Sequence, residues 1–249
     1  ASQKLIEDVE SGEDINTSLD KFERSTEVTE AEEASGTLGE IMSEIFNEVD
    51  GGKPIDKTLT GIPIVDECTN GLAKGELVTI GAKSGKGKSA LAIRMAVNMF
   101  KDDKKVLIVS REMSKKQIGE RILLAHSGVT KENYEKRTLS ETDWVRIVET
   151  TEAFNTDQII IDDKIATIPE IKQAVRKHKP DILIVDYVQL LTPTNPRDSR
   201  ERQVADMSRE LKKMTSDFDM IVVQLTQLAE KGIGNYRPHG ESYPRESRA

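Results

Sequence analysis

A glycine-rich turn between two apolar segments carries the clearest chemistry in this chain. Residues 77–82 read as an apolar strand, KSGKGKS follows, and a helix is predicted to begin near Lys88. Backbone N–H groups of such a turn surround the β- and γ-phosphates of a nucleotide, where the helix dipole also favours negative charge. Lys88 can place its ammonium on those phosphates, and Ser89 can offer a hydroxyl to Mg²⁺. The predicted phosphate-binding loop is Ala82, Lys83, Ser84, Gly85, Lys86, Gly87, Lys88, Ser89 and Ala90.

One position departs from the strict phosphate-loop pattern. The pattern asks for glycine where Ala82 stands, although Gly81 precedes it. A lysine-rich surface turn is the alternative interpretation. We favour ATP or GTP binding because strand, turn, Gly-Lys-Ser and amphipathic helix coincide. The loop alone does not distinguish a motor from a kinase, a GTPase or a recombinase.

An acid, Asp186, directly follows the apolar residues Ile182-Leu183-Ile184-Val185. Ligand groups gather at the carboxyl ends of the strands in a doubly wound sheet. Asp186 can hold Mg²⁺ through a water, opposite Ser89. An N-cap or a buried structural acid is the alternative. Asp162 and Asp163 also end a strand, and we interpret them as loop or supporting acids.

Two further polar residues follow predicted strands. Glu112 comes just after the strand 106–110, which we expect beside the phosphate-loop strand, and can orient an attacking water. A helix-entry acid is the alternative for Glu112. Gln227 closes the last strand and can hydrogen-bond the γ-phosphate or the water. A polar strand end is the alternative, and Gln224 is a competing candidate.

Apolar runs and helical patterns alternate along the chain. This alternation predicts an α/β fold with a doubly wound, mainly parallel sheet whose strands are covered on both faces. Cys68 and Trp144 are expected to be at least partly buried, Trp144 in the core. Strands are predicted at 77–82, 106–110, 159–163, 182–190 and 220–227, and helices at about 88–100, 115–127, 141–154, 169–178 and 198–217.

The charge is spread unevenly. The net charge is −8, yet residues 1–53 hold fifteen acids and four bases, so the remainder is slightly basic. The acidic total therefore does not exclude nucleic acid binding by residues 58–249. Neither a membrane-length apolar run nor a secretory signal is visible, and one cysteine fits a reducing compartment. We expect a cytoplasmic protein with no membrane partner.

A short amphipathic helix is predicted within the linker segment 35–57. Thr37 and Glu40 form a candidate capping box, and glycines 51 and 52 end the helix. Exposure of its apolar face to water would be costly, so we expect this face to dock, either on its own domain or on a neighbouring subunit. The face consists of Leu38, Ile41, Met42, Ile45, Phe46 and Val49.

Five ordered segments resemble the RecA-like motor domain of the bacterial and phage replicative hexameric helicases, the DnaB-type family. Their motifs are specific in combination, and the family commonly replaces the first glycine of the phosphate loop. A further segment, RPHGESYPRESR (237–248), is similar to one that carries Arg-Glu-Ser before a DNA-contacting loop. The five are TLTGIPIVDECTNGLAKGELVTIGAKSGKGKS (58–89), VLIVSREMSKKQIGERILL (106–124), ILIVDYVQLL (182–191), RQVADMSRELKKM (202–214) and VVQLTQL (222–228).

The resemblance implies a role for each candidate residue. Lys88 and Ser89 would bind phosphate and Mg²⁺, and Asp186 would be the Walker B acid. Glu112 would be the catalytic base and Gln227 the sensor glutamine. Arg245 and Glu246 would lie near the DNA-contacting region.

The resemblance also implies an assembly. The helix at 37–49 would be the linker helix that docks on the adjacent subunit of a homo-hexamer, and the motor would use ATP to move along single-stranded DNA in the 5′→3′ direction. Primase and a helicase loader would be further partners. Residues 1–34 are either an acidic leader or the end of an N-terminal helical domain.

One departure keeps alternatives open. The family continues with strands that supply a lysine and an arginine finger, and nothing in residues 58–249 corresponds to them. We expect the motor domain to continue beyond Ala249, since such a finger can contribute roughly 10³–10⁵ in rate. The alternatives are a recombinase or circadian-clock (KaiC-type) RecA-fold ATPase, and a non-catalytic module that binds nucleotide to organise partners.

Overall fold

The computed structural model describes residues 36–52, 56–193, 195 and 197–228. The chain divides into two compact units, Ala1–Ile55 and Asp56–Ala249. The acidic segment 1–34 and the candidate DNA-contacting residues Arg245 and Glu246 lie outside the described residues. Among the helices that are described, none combines the length and the apolar character needed to cross a membrane.

The described part of the first unit contains one helix, α1 (Leu38–Asp50). The predicted capping box is present: the Thr37 hydroxyl accepts from the Glu40 N–H, and the Glu40 carboxylate accepts from the Thr37 N–H at 2.7 Å. Gly51 forms the C-cap. No residue of α1 is buried in the structure. All six members of its apolar face are among the exposed large hydrophobic residues.

The second unit alternates strands with helices. Its strands are β1 (Lys57–Thr58), β2 (Leu72–Ala73), β3 (Leu77–Ala82), β4 (Val106–Ser110), β5 (Ile159–Asp162), β6 (Ile182–Asp186) and β7 (Ile221–Gln227). Its helices are α2 (Pro63–Thr69), α3 (Lys88–Lys101), α4 (Lys115–Ser127), α5 (Lys131–Lys136), α6 (Glu141–Ala153), α7 (Ile168–His178) and α8 (Arg200–Asp217), with a 3₁₀ turn at Val188–Leu190.

Five of the strands form one sheet in the order β3-β7-β6-β4-β5, and every pair is parallel. The predicted doubly wound parallel sheet is confirmed. Alternate strand residues enter two separate cores, as the two-residue period of a strand requires. One core joins Val106, Ile108, Ile182 and Ile184 to α3 and α4, and the other joins Leu107, Val109, Leu183 and Val185 to α7 and α8.

The expectation that strands are covered on both faces holds only for the inner strands. Every residue of β4 and β6 is buried, whereas β3 and β5, at the two edges, are half-buried. The expectation that strand 106–110 lies beside the strand of the phosphate loop is wrong. Strands β7 and β6 lie between β3 and β4, because the chain crosses from β3 to the far half of the sheet and returns later.

Three local expectations are also wrong. The strand predicted at 182–190 ends at Asp186, and Val188–Leu190 is a 3₁₀ turn that buries Val188. Trp144 is 57% exposed, because α6 buries only Thr150 and Trp144 lies on its outer side. Cys68 is exposed at the end of α2, none of whose residues is buried.

Candidate nucleotide-binding site

The predicted phosphate-binding loop joins β3 to α3 with two glycines in the left-handed region. Gly85 has φ 73° and Gly87 has φ 84°, a conformation that L side chains rarely adopt. Gly87 is the N-cap of α3, and no side chain caps the first turn of this helix. By contrast, a Ser or Thr hydroxyl caps six other described helices, α1, α4, α5, α6, α7 and α8. The start of α3 therefore offers its N–H groups to an anion.

Lys88 is a buried cation at the start of α3. Its residue is 6% exposed, and its Nζ lies 2.9 Å from Glu112 Oε2. The same Nζ lies 4.5 Å from the centre of the Tyr187 ring, within cation–π distance. Because α3 packs over the inner strands, Lys88 reaches the carboxyl end of β4 although two strands separate β4 from β3.

The turn that follows β4 places Glu112. Ser110 pairs in register with Asp186, and the Arg111 N–H donates to the Asp186 carbonyl at 2.7 Å. The Ser110 hydroxyl accepts from the Met113 N–H at 3.1 Å. These bonds hold the turn against the end of β6, so Glu112 lies beside Lys88 while remaining half-exposed.

Asp186 is the buried acid of the site. Burial is the largest influence on its carboxyl and raises its pKa, a hydrogen bond with Ser89 lowers the pKa, Glu112 raises it, and Lys88 and Arg121 lower it. Within the described residues, Asp186 Oδ1 is buried without a hydrogen-bond partner. A buried acceptor without a partner is costly unless a cation or water reaches it.

The donor set around Asp186 fits Mg²⁺. Ser89 supplies a hydroxyl and Asp186 a carboxylate, and hard oxygen ligands completed by phosphate oxygens and waters are what this ion takes in phosphate-loop proteins. No group of three or more His, Cys, Asp or Glu suited to a metal occurs among the described residues. An ion that keeps several waters does not need such a group.

Gln227 and Gln224 have different surroundings. Gln227 is exposed and lines an open cleft of about 600 Å³ with Lys83, Ser84, Lys86, Tyr187, Gln189 and Leu228. Gln224 stands three residues earlier in β7, is buried, and its Nε2 donates to Thr79 Oγ1 at 2.8 Å. Only Gln227 of these two candidates therefore lies on the cleft that the phosphate loop borders.

The structure brings together most of the predicted residues and adds two. Lys88, Ser89, Glu112 and Asp186 meet at the carboxyl edge of the sheet. The sequence did not single out Tyr187, beneath the Lys88 ammonium, or Gln189, beside Gln227. Tyr187 follows Asp186 directly and Gln189 lies three positions after it, and the signal available was two polar-tipped residues within an apolar run.

The sequence is similar to a known protein family and to several of its members. Residues 58–238 match the family described as DnaB-like helicase C terminal domain. The replicative DNA helicase DnaB of Leifsonia xyli subsp. xyli (strain CTCB07) is 32% identical over 201 residues, which are 77% of this chain and 44% of that protein. A probable plasmid replicative DNA helicase of Chlamydia trachomatis is 33% identical over 178 residues, 69% of this chain and 39% of that protein. The chain thus spans less than half the length of these curated relatives.

Solved structures show the same likeness. One of them, described as an ATPase domain, superposes with a TM-score of 0.73 and 28% identity, covering 82% of this chain and 76% of that chain. A DnaB-like replicative helicase, described with its interactions with primase, gives a TM-score of 0.72 and 26% identity. This second likeness covers 95% of this chain and 58% of that chain.

Proposed function

The chain belongs to the DnaB-like helicase C-terminal domain family, and from that premise we propose that it is the motor of an ATP-dependent 5′→3′ replicative DNA helicase. The observation that carries the proposal is the ion pair of Lys88 and Glu112 beside the buried Asp186. A buried cation, a candidate base and a buried acid thus occupy one edge of the sheet, where nucleotide ligands bind in doubly wound folds.

We propose the following roles in ATP hydrolysis. The N–H groups from Ala82 to Ala90 cradle the phosphates, and Lys88 neutralises their charge. The Glu112 carboxylate takes a proton from water as the water oxygen attacks the γ-phosphorus and the bond to the β-phosphate oxygen breaks. ADP and inorganic phosphate leave. Gln227, on the cleft, contacts the γ-phosphate or the attacking water.

Ser89 and Asp186 are the residues that would hold Mg²⁺. The ion supplies charge neutralisation of the phosphates when it is bound. The buried Oδ1 of Asp186, with no partner among the described residues, supports this assignment. Because burial raises the pKa of this carboxyl, a nearby cation is what would keep it ionised.

The apolar face of α1 supports assembly into a homo-hexamer. Its six large side chains are between 43% and 74% exposed. Burying each of them would stabilise an interface by roughly 1.5–3 kcal/mol. We propose that this face docks on the motor domain of an adjacent subunit, so that each ATP lies between two subunits.

The remaining partners follow from the same proposal. The substrate is single-stranded DNA, threaded through the ring, and the site of action is the cytoplasm. One solved relative is described with its interactions with primase. We propose primase and a helicase loader as partners of this protein, and Arg245 and Glu246 as residues near the DNA.

Steady-state ATP hydrolysis tests this proposal against the alternatives. We expect the natural-length protein to hydrolyse ATP with Mg²⁺ and to turn over several-fold faster when single-stranded DNA is added. Hydrolysis that DNA does not affect would favour an ATPase with another purpose. Nucleotide binding without turnover would favour a non-catalytic assembly module.

A further inference from the structure

Strand β7 extends further than its neighbour β6 at the edge of the sheet where the candidate site lies. The register of β6 with β7 ends at Val185 and Gln224, whereas β7 continues beside β3 until Ala82 meets Gln227. The peptide groups at the end of β7 therefore need partners other than strand β6 on that side. Backbone groups at such positions are normally satisfied, by side chains where no strand is present.

The side chain of Gln189 occupies this place. Its Nε2 donates to the Gln227 carbonyl at 3.3 Å, and its Oε1 accepts from the Gln227 N–H at 3.3 Å. The same Nε2 donates to Thr226 Oγ1. A side-chain amide carries the donor and the acceptor of a peptide group, so Gln189 replaces the strand residue that β6 no longer provides.

Gln189 is also tied to helix α8. The Arg200 guanidinium donates to the Gln189 carbonyl through Nη2 and to Gln203 Oε1 through Nη1 at 3.0 Å. Arg200 is the first residue of α8, directly after the Ser199 N-cap. A continuous set of hydrogen bonds thus joins the backbone of Gln227 to the start of α8.

We propose that Gln189 is a positioning residue for ATP hydrolysis: it holds the backbone of Gln227 so that the Gln227 side chain faces the reacting phosphate. The inference rests on the proposed function, since Gln227 is taken there as the residue that contacts the γ-phosphate or the water. Gln189 itself lines the same cleft but acts through Gln227. Its contribution should therefore disappear when the Gln227 side chain is absent.

A double-mutant cycle on the rate of ATP hydrolysis tests this dependence. Gln189→Ala should lower the kcat for DNA-stimulated hydrolysis about tenfold and change the KM for ATP by less than about twofold. The double variant with Gln227→Ala should be no slower than Gln227→Ala alone, because interacting residues are not additive. Gln173→Ala, at an exposed glutamine of α7, is the matched control and should keep the wild-type rate. Effects of Gln189→Ala and Gln227→Ala that multiply would overturn the proposal.

Amide hydrogen exchange provides a readout that needs no activity. In Gln189→Ala the Gln227 amide should exchange about tenfold faster than in the wild type. The Leu228 amide, which donates to the Ala82 carbonyl at 3.1 Å, should change little and is the internal control. Unchanged exchange at Gln227 would refute the positioning role even if the protein hydrolysed ATP normally. Absence of hydrolysis in the wild type would instead contradict the proposed function and leave the exchange result to decide the role of Gln189.

Discussion

The Lys88 ammonium lies 2.9 Å from the Glu112 carboxylate, although the strands that precede these residues are separated by two others in the sheet. Helix α3 makes the contact possible, because it starts at Lys88 and packs over the inner strands. The buried ammonium contacts the Glu112 carboxylate and the face of the Tyr187 ring. A phosphate that approached the loop would meet the cation and the candidate base together.

Replacing the candidate base should separate binding from turnover. Glu112→Gln keeps the size of the side chain and removes the carboxylate that would accept a proton from water. We expect kcat for ATP hydrolysis to fall about 10²–10⁴-fold. The Kd for ATP should change little, because Lys88 and the loop N–H groups remain. Steady-state hydrolysis at saturating ATP and equilibrium nucleotide binding measure the two quantities.

The control for this variant is Glu135→Gln. Glu135 is an exposed glutamate of α5 whose carboxylate is 3.5 Å from Lys131. This change should leave both constants as they are. A Glu112→Gln protein that turned over at the wild-type rate would remove Glu112 from the mechanism.

Replacing the buried acid should raise the requirement for Mg²⁺. Asp186→Asn removes the carboxylate charge while keeping its shape, and the ion is expected to be held through a water. Loss of such an indirect partner typically costs 10–100-fold in metal affinity, so we expect a similar increase in the Mg²⁺ concentration for half-maximal nucleotide binding. Titration with Mg²⁺ at a fixed nucleotide concentration measures this half-maximal concentration.

Asp163→Asn is the matched control for Asp186→Asn. Asp163 follows another strand of the same sheet, but its carboxylate accepts from the Lys115 N–H at 2.9 Å. The Asp163→Asn variant should need the same Mg²⁺ concentration as the wild type for half-maximal nucleotide binding. Equal effects of the two substitutions would argue against a metal role particular to Asp186.

Placing a charge on the apolar face of α1 should prevent assembly. Phe46 is 68% exposed within this chain, and Phe46→Asp replaces apolar contact at an interface by a carboxylate that would lose its hydration there. We expect sedimentation velocity to show hexamers for the wild type and monomers for Phe46→Asp at micromolar concentrations. Asn47→Asp adds the same charge one position away, off the apolar face, and should remain hexameric. A hexameric Phe46→Asp protein would contradict the docking role of α1.

The capping box of α7, formed by Thr167 and Glu170, should make the free energy of unfolding depend on pH. Hydrogen bonds from the Ala166 N–H, then from Thr167, hold the pKa of Glu170 below its ordinary value of 4.5. Since the folded-state pKa is lowered, the stabilisation is present above the unfolded-state pKa and is lost as the pH falls through the folded-state pKa.

Glu170→Ala should therefore lower the free energy of unfolding by about 0.3–1 kcal/mol near neutral pH. The difference from the wild type should shrink as the solution is acidified below the ordinary pKa of Glu170. Urea unfolding near neutral pH and at a pH below the ordinary pKa of Glu170 measures this difference. Glu149→Ala, on the exposed side of α6, is the control. A difference that did not depend on pH would mean that the cap does not act through the ionised carboxylate.

The sequence predicted well those helices and strands that show a clear pattern in their own residues. Strands β3, β4 and β6 were recognisable as apolar runs, and Thr37 with Glu40 marked the start of α1. Asp186 was found because it directly follows four apolar residues, Glu112 because it comes shortly after another apolar run, and Lys88 because it lies in the glycine-rich loop. These signals depend on neighbouring residues alone.

The sequence could not predict relationships that depend on distant parts of the chain. The strand order, and with it the two strands between β3 and β4, is set by crossovers that leave no local pattern. The apolar run after Asp186 continues through Val188 and Leu190, so a strand end at Asp186 was invisible. The place that the Gln189 side chain takes beside Gln227 becomes apparent only once β6 is seen to end before β7.

Strand displacement on forked DNA tests whether this protein is the motor of a 5′→3′ helicase. The natural-length protein, with ATP and Mg²⁺, is presented with forks that carry a single-stranded tail of either polarity. We predict displacement from the fork with a free 5′ tail, little from a fork with only a 3′ tail, and none by Glu112→Gln on either. ATP hydrolysis by an assembled wild-type ring without displacement of any strand would contradict the helicase function.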